Sequence, residues 1–384
     1  MAGIYPFVEK PPKGAAAFQD ISEVGSQSQA AVLLMLGRQL RGDDGALTAR
    51  ASATASAKHV AVSSLKSDTE FPVPRLKPVQ RRVAAAETKQ RLLSLHNFKA
   101  GATTGSWTKA FGDSARLLYK TPTVETAAQL FEVSLEHPRD LVKIAAAFSY
   151  FRVSSEPARL LEILVKGVQS SDELERDLAA TALARVAPEH ASLRQLSKGK
   201  TAPKGRKPAH TITLIHGTWA SGAPWYQPNG DFFNYVKTLR PDLYSGNDFF
   251  KWTGGYSDAA RTDGANGLVK WVADHKEAGL DLMGHSHGAN VSMLATQFGM
   301  QAGKLVLLSC PVHVDQYLPK FANVTKGVFS IHVKLDLVIL ADGGGQKFNH
   351  PQITEIVLPI WFNHSATHDP QVWKKNNLAA KIKL

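Results

Sequence analysis

Leu280-Asp281-Leu282-Met283-Gly284-His285-Ser286-His287-Gly288-Ala289 is the stretch on which the reading of the fold turns. A short strand-like run, Leu280 to Met283, meets a Gly-x-Ser-x-Gly pentapeptide, and a helical pattern follows through Phe298. That strand–turn–helix order is the setting a nucleophile elbow needs. A sharp turn forces Ser286 into a strained backbone conformation, and side chains at 284 and 288 would collide with the neighbouring strand and helix. The hydroxyl then points out of the sheet, with a helix N-terminus behind it that favours developing negative charge. The pentapeptide alone is weak, since a chain of this length shows one by chance roughly one time in ten at ordinary Gly and Ser frequencies. The competing reading is a small-residue turn that only lets the helix pack closely.

Around this stretch the pattern alternates regularly. Strands are expected at Thr211–Ile215, Asp248–Trp252, Leu280–Met283, Lys304–Leu308, Val328–Val333 and Ile353–Ile360. Helices are expected at Phe232–Leu239, through Leu268, Trp271 and Val272, at Ala289–Phe298 and at Pro370–Leu378. Alternation of this kind predicts an α/β fold: a mostly parallel sheet with helices on both faces. Ligands of such sheets bind beyond the carboxyl ends of the strands.

The N-terminal half reads differently. Residues 1–80 look like a weakly ordered leader, with an Ala/Ser/Thr-rich stretch at 46–67 and three prolines in 71–78. A helix over 28–41 carries an apolar stripe able to dock on a partner or on the rest of the chain. Residues 81–196 read as an all-α domain. Ser170-x-x-Glu173 is a capping-box signal, and 141–153 echoes 174–186 at an offset of 33 residues, with Leu, Ala, Ala, Arg and Val matching in place. The echo resembles HEAT-type helical repeats, although the period is short for them, and a plain helical bundle is the competing reading. Residues 197–208 carry five basic residues, two prolines and two glycines, a linker composition. The catalytic domain is expected over 209–384.

Composition bounds the function classes. The chain has 384 residues, 43% hydrophobic and 20% charged, which suits a globular protein. The longest apolar run near the start, Ala30–Leu36, is seven residues, far below the roughly 20 that span a bilayer. No Sec signal is recognised, so a cytoplasmic location is expected, with non-classical export left open. One cysteine, Cys310, excludes an intrachain disulfide framework. The net charge of +12 lies mostly in residues 1–208, at +10. Basic and aromatic residues are not interleaved in the manner of RNA readers. No nucleic-acid partner is expected; peripheral membrane contact and a protein partner on the N-terminal helical region both fit.

With a His216-Gly217 pair after the first strand, then the elbow, then a histidine after the last strand, residues 209–384 resemble the α/β-hydrolase superfamily, in particular its lipase and esterase branches. There is little room for the family's first two strands, so the sheet is expected to be a shortened one that begins near the third. The resemblance implies an oxyanion hole from the backbone N–H groups of His287 and Thr218, with Trp219 the next candidate. It makes His216 a loop anchor and implies a late catalytic histidine, His364 in preference to His368. For the acid it implies Asp336 after the fifth expected strand, with Asp342 and Asp315 as alternatives. Trp219, Trp225 and His285 are the candidates to line a substrate pocket, against the reading that most of the tryptophans pack the core. No cofactor is implied. A metal is not expected either, because the HExxH spacing and an acidic cluster are missing.

The function these residues imply is a serine carboxylic-ester hydrolase, of esterase or lipase type, acting on small-molecule or lipid esters through an acyl-enzyme on Ser286. Three other readings share the same residues: a delivered phospholipase-type effector with an N-terminal targeting module, a perhydrolase or acyltransferase, and a non-catalytic binding protein of the same fold.

Overall fold

A computed structural model describes residues 6–42, 71–77, 104–196, 212–275 and 279–384. The basic linker, the 46–67 stretch and Thr211 fall outside the described residues. The chain divides into two compact units, Met1–Ala187 and Pro188–Leu384.

The first unit is all helical. Its elements are α1 (Glu23–Arg41), α2 (Thr104–Lys120), α3 (Val124–Ser134), α4 (Asp140–Tyr150), α5 (Pro157–Val168) and α6 (Glu173–Val186). α1 lies inside the segment read as a leader and starts five residues before the expected helix. Ser22 caps it by accepting from Gly25 N–H at 3.2 Å, and Gly42 at φ 71° ends it. Its stripe is occupied within the unit, by α4: a Cβ on Gly37 would meet Ser149 Cβ at 2.6 Å, so only glycine permits that crossing. The echoed segments are α4 and α6, and a Cβ on Gly167 of α5 would come within 2.7 Å of Ala179 of α6 and 2.8 Å of Ile144 of α4. The expected capping box is displaced by two residues. Asp172 is the N-cap and accepts from Glu175 N–H at 3.0 Å, while Ser170 Oγ bonds the Glu175 carboxylate at 2.7 Å. The Asp172 carboxylate is a strong acceptor two residues closer to the helix, which takes the capping position from Ser170.

The second unit begins with α7 (Ala191–Leu196) and then runs β1 (Ile212–Ile215), α8 (Asp231–Leu239), α9 (Asp258–Asp274), β2 (Leu280–His285), α10 (His287–Gln297), β3 (Ala302–Leu308), β4 (Val328–Lys334), α11 (Leu337–Asp342), β5 (Ile353–Trp361), α12 (Pro370–Asn376) and α13 (Leu378–Lys381). The five strands pair in chain order and every pairing is parallel. Alternation along the strands builds two cores. Leu282, Leu305 and Leu307 pack with Leu268 of α9 and Val291 of α10 on one face. Met283, Val306 and Leu308 pack with Phe232 and Val236 of α8 and Val372 and Trp373 of α12 on the other. This is the expected α/β fold, a parallel sheet with helices on both faces.

One expected strand is missing. Residues 248–252 form none, and β1 carries beside it only a bridge from Ile212 to Leu243. The polar groups of that segment are used elsewhere: Trp252 N–H donates to His216 Nε2 at 3.3 Å, and the Asp248 carbonyl accepts from Trp271 Nε1 at 2.8 Å. Among the described residues, no helix is long and apolar enough to cross a membrane.

At the amino end of the sheet, buried Asp281 on β2 accepts from Arg240 Nη1 at 2.9 Å, Lys304 N–H at 2.9 Å and Lys326 Nζ at 3.1 Å. Asp281→Ala removes the acceptor of the buried Lys304 N–H and one of two carboxylates on Arg240, which keeps Asp242 on Nε at 2.8 Å and Nη2 at 2.7 Å. Leaving a buried donor without its acceptor costs about 1–3 kcal/mol. The urea midpoint of the variant is expected to fall accordingly, and an unchanged midpoint would contradict this account of the sheet edge.

Candidate active site

The carboxyl ends of the strands share an unusual backbone feature. β2, β3, β4 and β5 are each followed at once by a non-glycine residue at positive φ: Ser286 (53°), Ser309 (43°), Leu335 (52°) and Phe362 (73°). Such conformations cost on the order of 1–3 kcal/mol each and persist only where the surroundings over-determine them. Here the neighbouring strands do so. Ser286 N–H donates to Leu308 O at 2.8 Å, Ser309 N–H to Ile331 O at 2.9 Å and Phe362 N–H to Lys334 O at 3.1 Å. The strain lies along the edge where the sequence places the chemistry.

At the elbow the two glycines are needed for the reason their spacing implies. A Cβ on Gly284 would lie 2.7 Å from Ala289 N, and one on Gly288 would meet the His216 carbonyl and come within 2.7 Å of Ile215 O. A Cβ on Gly217 would sit 2.8 Å from Ser286 Cβ. The loop after β1 therefore lies directly on the elbow. His216 anchors that loop. Its Nε2 accepts from Trp252 N–H, so its Nδ1 carries the proton and donates to Gly217 O at 2.8 Å; its carbonyl takes Trp252 Nε1–H at 2.8 Å. Burial pushes its pKa down to about 4, which keeps it neutral.

The two oxyanion candidates in the loop now separate. Trp219 N–H is spent on Gly254 O at 2.9 Å. Thr218 N–H has no acceptor among the described residues, and the Thr218 hydroxyl is fixed by His287 Nδ1 at 2.8 Å. His287 opens α10, so its N–H has no helical carbonyl to bond. Ser286 is 6% exposed, and its hydroxyl has no hydrogen bond among the described residues.

His364 follows β5 in a short 3₁₀ turn and pairs with Asp336: Nδ1 donates to Oδ2 at 2.8 Å, both residues being buried. Asp336 is doubly placed. Its Oδ1 caps α11, accepting from Val338 N–H at 2.9 Å and Ile339 N–H at 3.2 Å, and its own N–H donates to Gln346 Oε1 at 2.9 Å. The His364 carbonyl accepts from Ser309 Oγ at 2.9 Å and His285 Nε2 at 3.2 Å. Gln346 and Ser309 were not anticipated; nothing in their local sequence marks them, because their role depends on which strand ends adjoin. The other two acids lie elsewhere. Asp315 is exposed. Asp342 is buried and meets His313 Nε2 at 2.7 Å, the Tyr256 hydroxyl at 2.6 Å and His287 Nε2 at 3.4 Å.

The aromatic candidates divide as well. Trp225 stacks on His368 with ring centres 4.5 Å apart and belongs to the core on the α8 and α12 face. His285 is enclosed by Trp225, His364 and His368, and burial, with the neighbouring histidines adding to it, drives its pKa well below the usual value. Trp219, at φ 55°, is half-buried and stacks on Tyr256 at 5.6 Å. Cys310 is buried and its thiol is pushed far up by that burial, so it offers no competing nucleophile.

No family description and no curated protein matches this sequence. Among solved structures it is similar to a YdeN-like hydrolase from Pectobacterium atrosepticum, 11% identical with a TM-score of 0.26, over 46% of this chain and 91% of that one. It is also similar to the esterase Pf2001 of Pyrococcus furiosus, 15% identical with a TM-score of 0.29, over 45% and 83%. A third similar structure is an uncharacterized protein from Bacillus cereus, 10% identical with a TM-score of 0.27, over 77% and 98%. At these scores the likenesses carry no weight for the chemistry, which rests on the geometry above.

His216 and His332 are both buried, and burial holds each near a pKa of about 4. Unfolded histidine binds its proton near 6.5, so between these values the unfolded chain takes up more protons and gains on the folded one. Stability from these groups is complete above about pH 6.5 and is lost as pH falls toward 4, at about 1.4 kcal/mol per pH unit for each histidine. Urea midpoints are expected to be level above neutrality and to drop steeply from pH 6 to 5. A midpoint unchanged down to pH 4.5 would contradict the burial of these rings.

Proposed function

We propose that this protein is a serine hydrolase of carboxylic esters, working through an acyl-enzyme on Ser286. The observation that carries the reading is the buried His364–Asp336 pair, 2.8 Å apart, at the same sheet edge as a serine held at φ 53° between two obligatory glycines. A turn that served only helix packing would have no use for a buried carboxylate–imidazole pair two and three strand ends away.

In this mechanism Asp336 accepts a hydrogen bond from His364 Nδ1–H, which keeps the proton on Nδ1 and leaves Nε2 unprotonated and basic. The serine hydroxyl comes within about 3 Å of Nε2 when substrate binds. Ser286 Oγ attacks the ester carbonyl as His364 takes its proton, and the oxygen of the tetrahedral intermediate is met by the N–H groups of His287 and Thr218. Each such donor is worth about 10²–10³ in rate. The intermediate collapses as His364 protonates the departing alcohol. Water, deprotonated by the same imidazole, attacks the acyl-enzyme, and the acid leaves with Ser286 restored. Asp336 stays ionised throughout and holds the tautomer. Its second oxygen caps α11, so the ring is aimed by a carboxylate that the fold itself positions.

Hydrolysis of nitrophenyl esters, scanned from acetate to palmitate, tests the reading. Ser286→Ala and His364→Ala are expected to abolish turnover by the acyl-enzyme route. Asp336→Asn, which disturbs the tautomer, should lower kcat about 10⁴-fold. Full activity in folded Ser286→Ala would overturn the assignment. A wild-type chain that turns over none of the series would favour the binding-protein reading.

A further inference from the structure

Beside the elbow lies a second set of polar groups for which the hydrolytic mechanism has no use. His287 begins α10, His313 is in the loop after β3, and Asp342 ends α11. Their side chains converge, with one donor atom from each lying within 4.8 Å of the others. His313 Nε2 is 2.7 Å from Asp342 Oδ2, and His287 Nε2 is 3.4 Å from Asp342 Oδ1. The His287 atom is the telling one. It is buried, it points at the carboxylate, and it has no hydrogen bond among the described atoms. An orphaned ring nitrogen inside a protein costs free energy unless something fills its lone pair.

We infer that His287, His313 and Asp342 form a binding site for one divalent transition-metal ion of the zinc class. Two imidazole nitrogens and a carboxylate oxygen are a donor set that suits zinc and its neighbours and does not suit magnesium or calcium, which take oxygen ligands. In a tetrahedral zinc site with bonds of about 2.0–2.2 Å, neighbouring ligand atoms stand roughly 3.3 Å apart. The His287–Asp342 separation already matches, and the His313–Asp342 hydrogen bond opens by about half an ångström to admit the ion.

The outer partners fit the same purpose. Thr218 Oγ1 lies 2.8 Å from His287 Nδ1, so the Nδ1–H can donate to it and leave Nε2 as the ligand. The Tyr256 hydroxyl donates to Asp342 at 2.6 Å and steadies the carboxylate. Arg261, which feels the Asp342 charge, is bonded to Asp258, to the Tyr256 carbonyl at 2.6 Å and to the Tyr317 hydroxyl at 2.9 Å. His313 is only partly buried and gives solvent a way in. Three protein ligands leave a fourth position for water. An ion there would tie three strand ends together and, through His287, fix the Thr218 hydroxyl. The site stands apart from the proposed triad: none of its three ligand side chains is the nucleophile, the base or the acid.

The test needs no turnover. The full-length chain is stripped with chelator, dialysed against Zn²⁺, Mg²⁺ or Ca²⁺, and analysed for metal content and thermal midpoint; Co²⁺ serves as a spectroscopic probe. Wild type is expected to retain about one Zn²⁺ per chain, to gain thermal stability with it, and to give the intense visible bands of tetrahedral Co²⁺, while ignoring Mg²⁺ and Ca²⁺. His313→Ala, on a partly exposed loop, should keep its fold and weaken Zn²⁺ by more than about tenfold, and Asp342→Asn should do the same. A wild-type chain that holds no stoichiometric zinc would overturn the proposal, as would zinc bound equally well by folded His313→Ala. Loss of ester hydrolysis with zinc binding intact would count against the triad and leave this site standing.

Discussion

The second unit is organised by one steric constraint: the backbone loop after β1 rests on the turn between β2 and α10 with no room for a side chain between them. Gly288 faces the carbonyls of Ile215 and His216, Gly217 faces Ser286 Cβ, and Gly284 faces the first turn of α10. These contacts hold the loop that carries Thr218 against the turn that carries Ser286 and His287. They also require Ser286 to hold a positive φ, which the ladder bond from Ser286 N–H to Leu308 O enforces. Much of the surrounding site can be read as support for that contact. His216 anchors the loop through Trp252, and the Gly254 carbonyl takes up the Trp219 N–H.

A second consequence follows from the way the strands end. Four successive strand ends carry residues at positive φ, and the chain leaves each strand abruptly on the side where the functional groups stand. Asp336 comes just after one such residue and His364 two positions after another. Their pairing is therefore a property of the neighbouring β4 and β5 ends. The elements on the two faces need only hold the sheet, which the alternating cores do.

Much of the second unit was legible in the sequence, because the signals there are local. The β-branched and apolar runs at 212–215, 302–308 and 328–334 form strands within a residue or two of where periodicity puts them, and the glycines at 284 and 288 carry their steric meaning in their spacing. What stayed illegible depends on contacts between distant segments. Residues 248–252 have strand-forming side chains, yet a ring nitrogen of His216 and the indole of Trp271 take their backbone groups. Only the resemblance set Asp336 ahead of Asp342 and Asp315 in the sequence; in the structure Asp336 pairs with His364, Asp342 meets His313, and Asp315 is exposed. The convergence of His287, His313 and Asp342 had no signal at all, because neither histidine shows motif spacing and the three residues meet only through the order of the strands. In the first unit, the helix at 28–41 was visible, but its partner within the unit, α4, was not.

The most direct measurement is covalent trapping. The full-length protein is incubated with a fluorophosphonate, and the adduct is located by intact-mass and peptide mass spectrometry. One adduct per chain, on Ser286, lost in His364→Ala and strongly slowed in Asp336→Asn, is the result this account predicts. An adduct on another residue, or none on a chain shown to be folded, would contradict it.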